Sequence, residues 1–543
     1  MLHIFEKLLE HEGLIALTST TNNQTIEWTY ADLLTRALTL CDSIQEKLPT
    51  NVEQPRVALL GARGASYVIL QLAIWLAGGL IVPLHPAHPA DEMQYMLSDS
   101  GASLLVINES IITSDTTLRT FVNDLPTRLQ IAILLSPDSV NPDNKTILSR
   151  PQHQIVQQWL ANQDYNKAGA LMIYTSGTTG RPKGVLTTHA ALTAQIHDVT
   201  IAWEMTSSDH LIHFLPLHHI HGVLNNLLCI LYIGGSVEFL PHATPSLIWS
   251  KLSKSTTLIR PISILMAVPT VYLKLLEEFD KYDPEDARTV NALVGARRLR
   301  VAISGSMACP VSILNRWEQL TGHRLLERYG MTELGMVLTN SLHGDRHLGY
   351  VGTTFPSIAV RVVDPETELE IPCQTEQEGE LRVKGPTVFR EYWNKPDATA
   401  KAFDQSGWFK TGDLVQYCNE FQSFRIRGRM SADILKTAGY KVSALDVERV
   451  LLMHPQVLEC AVFGLADEMW GQVVAVVIRA DVKGDKLGPE MFCPPLRTFS
   501  KQHLANYRVP RKFFFVDEIP KNAMGKVNKN ALAKIYSETG EEC

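Results

Sequence analysis

Short apolar runs alternate with stretches of helical periodicity from Val57 onward. VALLG at 57–61 precedes a helical segment at 67–76, and LLVI at 104–107 and IAILL at 131–135 continue the series. Further on, SILMAVPTVY at 263–272 and LRVAISGSMACP at 299–310 each read as a strand that turns into a helix, the second at 311–320. HRLLERYGMTE at 323–333 reads as a strand ending in a tight turn at Gly330. Strands alternating with helices predict a layered α/β architecture with largely parallel sheets. The polar, Pro- and Glu-rich stretch 364–379 and the following ELRVKGPTVFREYWN predict a turn-rich β region. From Ser443 the order is helix, VLECAVFG, VVAVVIRA, a helix at 495–506, KFFFVD and a last helix, a small α+β unit. The most apolar stretch, 68–84, is broken by Gly78, Gly79 and Pro83, so it reads as a buried helix and strand rather than a membrane span.

LMIYTSGTTGRPKGVLTTHAAL at 171–192 changes this picture from architecture to chemistry. An apolar run ends at Tyr174, a Gly/Ser/Thr loop follows, and a helical pattern resumes after Thr187, which predicts strand, loop, helix. Gly177, Gly180 and Gly184 let backbone approach a polyphosphate, Thr175, Ser176, Thr178 and Thr179 offer hydroxyls, and Lys183 supplies a point charge. The spacing is not that of a Walker loop, because Arg181 and Pro182 separate the second glycine from the lysine. HLIHFLPLHHIHG at 210–222 offers His213, His218, His219 and His221. A zinc set, a pocket wall and buried core histidines are the open readings, and no cysteine or carboxylate cluster joins them. The loop is expected to run into a helix at 223–232.

Composition narrows the partners. The 543 residues carry a formal charge of −7 with 45% hydrophobic and 20% charged positions, which gives no basic face for nucleic acid. Eight cysteines fall singly, as expected of reduced thiols in a cytosol-like compartment. The start, with Glu6, Glu10 and Glu12, reads as an amphipathic helix and not as a secretory or mitochondrial leader, so the expected location is cytoplasmic.

TSGTTGRPKG resembles the phosphate-loop signature of the acyl-adenylate-forming (AMP-binding) superfamily, and YGMTE, TGD, RGRMSADILKTAGY and the closing IPKNAMGKVNK resemble its later motifs in order. The resemblance covers about residues 25 to 535. It implies a large N-terminal catalytic domain of layered α/β subdomains, residues 1–428, and a small mobile α+β domain, residues 429–543, with a hinge near Ser431. It implies ATP, Mg²⁺ and coenzyme A as ligands, with a carboxylic acid as the small-molecule substrate and a monomer or homodimer as the assembly. Tyr329 would stack on adenine beside Gly330, Thr332 would face phosphate, Glu333 would hold Mg²⁺ and Asp413 would accept the ribose hydroxyls. Arg429 would contact AMP, Gly439 would border the CoA tunnel, and Lys526 would contact the carboxylate and α-phosphate during adenylation.

Within the superfamily the chain most resembles malonyl-CoA synthetases, through LRVAISGSMACP, ERYGMTE and DILKTAGYKVSALDVE. LPLHHIHG resembles the acyl-pocket segment, with His219 at the pocket and His218 where Phe is usual. A second carboxylate on the substrate demands a buried cation. Arg300 is the candidate, with His221, Ser304, Gly305 and Ser306 around it, and a purely structural arginine is the alternative. The competing functions are a medium- or long-chain acyl-CoA synthetase and a stand-alone enzyme that loads a carrier protein.

Overall fold

Strands buried on both faces carry continuous apolar runs, and these build two large, mostly parallel sheets. This computed structural model describes residues 3–538 except 22–23, 137–146, 176–180, 241, 255–259, 438–439, 468, 481–488 and 522–526. The seven-stranded sheet has a parallel core made by Leu80–Pro83, Arg56–Leu60, Leu104–Asn108 and Ala132–Ser136. Helix Ala65–Leu76 packs on it, and the Trp75 indole donates to the Ala170 carbonyl at 2.9 Å. The nine-stranded sheet has a parallel run through Leu326–Met331, Val301–Ser304, Ile264–Ala267, His210–His213 and Ser236–Phe239. The polar stretch beyond residue 358 forms a five-stranded antiparallel sheet, Ala359–Val363, Glu378–Lys384, Phe409–Cys418 and Ser423–Arg429 with the short strand Glu370–Ile371 at its edge. A separate sheet follows, with Ile434–Thr437, Tyr440–Ser443, Val457–Asp467, Gly471–Ala480 and Lys512–Phe515.

Three local expectations change. The phosphate-loop region is not strand, loop, helix. Gly169–Thr175 pairs antiparallel with a second strand, Lys183–Thr188, before helix His189–Ala202 begins. The run Gly184 to Thr188 is β-branched and apolar enough to satisfy a sheet partner, and Thr188 then caps the helix by accepting the Ala191 amide. The helix expected at 223–232 starts at His221, and its first part, His221–Leu228, is wound as a π-helix. Such winding is rare and concentrates at functional sites. Gly222 explains the tight approach into it, since a Cβ there would stand 2.1 Å from the Pro216 carbonyl oxygen. The helix expected at 495–506 runs as Pro489–His503, so it begins earlier and holds Pro494 and Pro495 inside it.

Strand Leu326–Met331 buries an ionisable pair of neighbours, Glu327 and Arg328, on alternate faces. Glu327 accepts the backbone amides of Cys309 and Gly349, yet burial outweighs them and raises its carboxyl from 4.5 to about 7. The folded state thus keeps a proton that the unfolded chain releases, so this group's contribution is favourable at low pH and is lost as pH rises from 4.5 through 7. Glu327→Gln removes that dependence. Denaturation midpoints should show the variant gaining on the wild type across that window, whereas a pH-independent offset would contradict the buried-carboxyl account.

Candidate active site

Three sheets deliver side chains to one cleft. The nine-stranded sheet supplies Tyr329, and Glu333 from the turn that joins Leu326–Met331 to Gly335–Thr339. The antiparallel sheet supplies Asp413 and Arg429, which face each other in register across the strand pair. The seven-stranded sheet supplies Lys183, opposite Thr175, and Tyr392 from the short strand Glu391–Tyr392 that pairs with Lys183–Thr188. Gly330 is demanded by the hairpin itself, since a Cβ there would meet the Gly335 carbonyl oxygen at 2.2 Å.

Asp413 is the most engaged group. Arg429 donates Nε to Oδ1 at 2.8 Å and Nη2 to Oδ2 at 2.9 Å, and the Tyr329 hydroxyl donates to Oδ2 at 2.5 Å. A bidentate Arg–carboxylate pair is among the stronger and more directional polar contacts. Burial works against the Arg429 charge, but Asp413 outweighs it and raises the guanidinium pKa further. The Tyr329 phenol is pushed up by burial and then by Asp413, so it stays a donor. Glu333 is 7% exposed, burial raises its carboxyl pKa, and the Tyr392 hydroxyl donates to its Oε1 at 2.8 Å. The Lys183 ammonium sits over the Tyr392 ring, 4.7 Å from its centre. Lys183, Glu333, Tyr392, Lys395, Thr411 and Arg429 line a cleft of about 690 Å³. That volume lies within the roughly 300–1,000 Å³ typical of small-molecule sites. Several cations, Lys183, Lys395 and Arg429 among them, together with the Glu333 carboxylate suit a polyphosphate with a metal ion.

Tyr392 escaped the sequence reading. Its strand has only two residues and no periodicity, so nothing local marks it. Thr332 occupies the same turn as Glu333. Ser176, Gly177, Thr178, Thr179, Gly180, Gly439 and Lys526 lie outside the described residues.

A second group of expected residues gathers around the end of strand Val301–Ser304. The His221 Nδ1 and the Ser306 Oγ are 3.2 Å apart, and Ser306 takes a left-handed φ of 70° in the turn. The His219 and His218 rings lie 3.9 Å apart between centres, tilted by 48°. Among the described residues no group of three or more His, Cys, Asp or Glu is placed to hold a metal ion. Arg300 does not reach this place. It stands at the opposite end of the strand, where Nε and Nη2 pair with Asp209 at 3.1 and 2.9 Å and Nη1 donates to the Trp203 carbonyl. Strand geometry forces the separation, because four residues span about 13 Å. The neighbouring strand brings Arg328 instead. Its guanidinium lies against Gly305, where an added Cβ would come within 2.6 Å of Cζ and Nε. It is 5% exposed, and its Nε and Nη2 have no hydrogen-bond partner among the described residues.

Residues 5–393 match the AMP-binding enzyme family and residues 446–526 its C-terminal domain. The chain belongs to the AMP-binding enzyme family. Mouse mitochondrial malonate–CoA ligase ACSF3 is 39% identical over 534 residues, which cover 94% of this chain and 88% of that protein. ATP-bound MatB from Rhodopseudomonas palustris superimposes with a TM-score of 0.81 at 29% identity, covering 99% of both chains. A malonyl-CoA ligase product complex holding methylmalonyl-CoA and AMP superimposes with a TM-score of 0.62 at 29% identity, covering 94% and 97%. For this AMP-binding enzyme the two arginines make opposite forecasts, of which the Arg300 one follows directly from its contacts. Arg300→Leu leaves the buried Asp209 charge with only the Ser263 hydroxyl and Thr206 amide as donors among the described residues and should cost about 1–3 kcal/mol of stability, read by denaturation. The Michaelis constant for the acid should be unchanged in the folded variant, and a large rise in it would return Arg300 to the pocket.

Proposed function

We propose that this AMP-binding enzyme is an ATP-dependent malonate–CoA ligase that also accepts methylmalonate. The observation that carries the acid's identity is the Arg328 guanidinium, buried against the Ser304–Gly305–Ser306 turn with Nε and Nη2 unpaired among the described residues. Burial lowers its pKa to about 10, so it remains charged at neutral pH. A buried cation without a counter-ion costs several kcal/mol, and a ligand carboxylate would return most of that through a charge-assisted pair. A fatty acyl tail would leave the cost in place. The malonate–CoA ligase relatives support the same reading.

The chemistry follows from the groups in the cleft. A carboxylate is a poor acyl donor, so one malonate carboxylate attacks the ATP α-phosphorus, pyrophosphate leaves, and the CoA thiol then displaces AMP from the acyl-adenylate. The protein's part is to hold reactants in line and offset charge. Lys183 and Arg429 both line the cleft and would offset phosphate charge. Asp413, already oriented by Arg429 and Tyr329, keeps lone pairs for the ribose hydroxyls. Glu333 is the residue that would hold Mg²⁺, and it fits, being a carboxylate that lines the same cleft as those cations. When bound, Mg²⁺ neutralises phosphate charge and takes one or two carboxylates with the remainder water and phosphate oxygens. Lys526 would assist adenylation and Gly439 the thiol's approach, with residues 429–543 turning near Ser431 between the two steps. The described cysteines are all free thiols, which supports a reducing compartment, the cytoplasm or the mitochondria named for the vertebrate relatives. No helix among the described residues is long and apolar enough to cross a membrane.

Pyrophosphate release with ATP, Mg²⁺ and CoA, measured across malonate, methylmalonate, acetate, octanoate and palmitate, tests this reading. Malonate should lead. Arg328→Leu should lower its kcat/KM by about 30- to 1,000-fold, the loss of roughly 2–4 kcal/mol of paired charge. The same variant should melt higher than the wild type without ligand, because it removes an uncompensated charge. Preference for octanoate or palmitate, or unimpaired malonate use by the variant, would overturn the assignment.

A further inference from the structure

The turn at the proposed hinge is closed by one side chain. The Arg429 carbonyl accepts the Asp433 amide at 2.7 Å, and the Asp433 Oδ2 accepts the Arg429 amide at 3.0 Å. Gly428 makes room for this, since a Cβ there would lie 2.5 Å from the Asp433 Cβ. Asp433 therefore touches the backbone of the same residue whose guanidinium holds Asp413 in the nucleotide cleft.

The other carboxylate oxygen of Asp433 points away from the cleft. Its Oδ1 accepts Lys529 Nζ at 2.6 Å, and Lys529 also pairs with the Glu448 Oε1 at 2.7 Å. Glu448 in turn accepts the Val462 amide at 2.7 Å. The Lys529 side chain is 10% exposed, and its ammonium joins the turn at Asp433 to helix Ala444–Leu451 at Glu448, which in turn accepts from strand Val457–Asp467. Burial opposes its charge, but Glu448 and then Asp433 outweigh it, so the ammonium is held firmly protonated. A lysine this buried at the first residue of the last helix, Lys529–Glu538, is not a solvated surface charge.

We infer that Lys529 is a positioning residue for adenylation, tying the start of the last helix to the hinge turn through Asp433. The inference rests on the ligase reading above, in which Lys526, three residues earlier in the chain, serves that half-reaction. The ion pair makes the hinge turn, helix Ala444–Leu451 and the last helix one unit, so a rotation of the small domain carries the last helix at a fixed distance from Asp433. Glu448 keeps the lysine's alternative partner inside the same domain. The Asp433–Arg429 bond is the part that joins the unit to the nucleotide cleft.

The test separates the two half-reactions in the full chain. Adenylation is read as hydroxamate formed from malonate and ATP in hydroxylamine without CoA, and thioester formation is read from synthetic malonyl-adenylate and CoA. In Lys529→Met adenylation should fall about 100-fold, the scale of a roughly 1 Å misplacement, while thioester formation stays within about threefold. Asp433→Asn, which leaves Lys529 its Glu448 partner and so the fold, should shift the ratio in the same direction, and Lys529→Arg should recover much of the loss. Equal losses in both half-reactions, tracking a lower melting point, or an unchanged ratio in all three variants, would overturn the inference. A wild-type enzyme that forms no hydroxamate from any acid would instead remove the ligase reading.

Discussion

The bidentate pair of Asp413 and Arg429 fixes the rest of the site. It joins two adjacent antiparallel strands at the edge of the cleft, and the Tyr329 hydroxyl adds a third donor from a different sheet. The candidate cleft is therefore bolted across a sheet boundary, which is what preorganisation requires of groups that must meet developing charge. Glu333 and Tyr392 repeat the device from the other side, one from the nine-stranded and one from the seven-stranded sheet. Arg429 also ends its strand and accepts the Asp433 amide in the turn that follows, so the residue that shapes the cleft also anchors the turn proposed as the hinge.

Buried charges in this protein divide into two kinds. The nearly buried Arg382 is paired with buried Glu380, Asp404 and the more exposed Glu368, and Lys529 is paired with Asp433 and Glu448. Those are closed structural accounts. Arg328 stands against the Ser304–Gly305–Ser306 turn, its pKa lowered by burial. A buried charge without a counter-ion is where stability is exchanged for function, which is why the proposed acid site is placed at Arg328.

Much of the site was legible because its turn chemistry is local. The alternation of apolar runs and helices announced the parallel sheets, and Thr332 and Glu333 sit in the turn that YGMTE announces, whereas Gly330 and Asp413 lie within strands. Helix versus strand failed at Lys183–Thr188, because a short β-branched run before a helix cap carries no periodicity to separate the two. The expectation for Arg300 differs from the structure, which pairs it with Asp209, for a subtler reason. Arg300 is next to the Ser–Gly–Ser turn in sequence, but it precedes a strand that the turn follows. The parallel register pairs Ile303 with Leu326 and Ser304 with Glu327, so the next step sets Gly305 beside Arg328. Aligning LRVAISGS against RLLERYGM as neighbouring strands would have exposed it, and no single stretch read alone does. Tyr392 depended on a two-residue strand whose partner lies two hundred residues earlier, which only the folded chain reveals.

The measurement that bears most directly on this account is a crystal structure with a non-hydrolysable malonyl-adenylate analogue. The account predicts the free carboxylate within hydrogen-bond reach of Arg328 Nε and Nη2, beside Gly305 and the His221–Ser306 pair. A free carboxylate placed elsewhere, with the Arg328 guanidinium still unpaired, would contradict it.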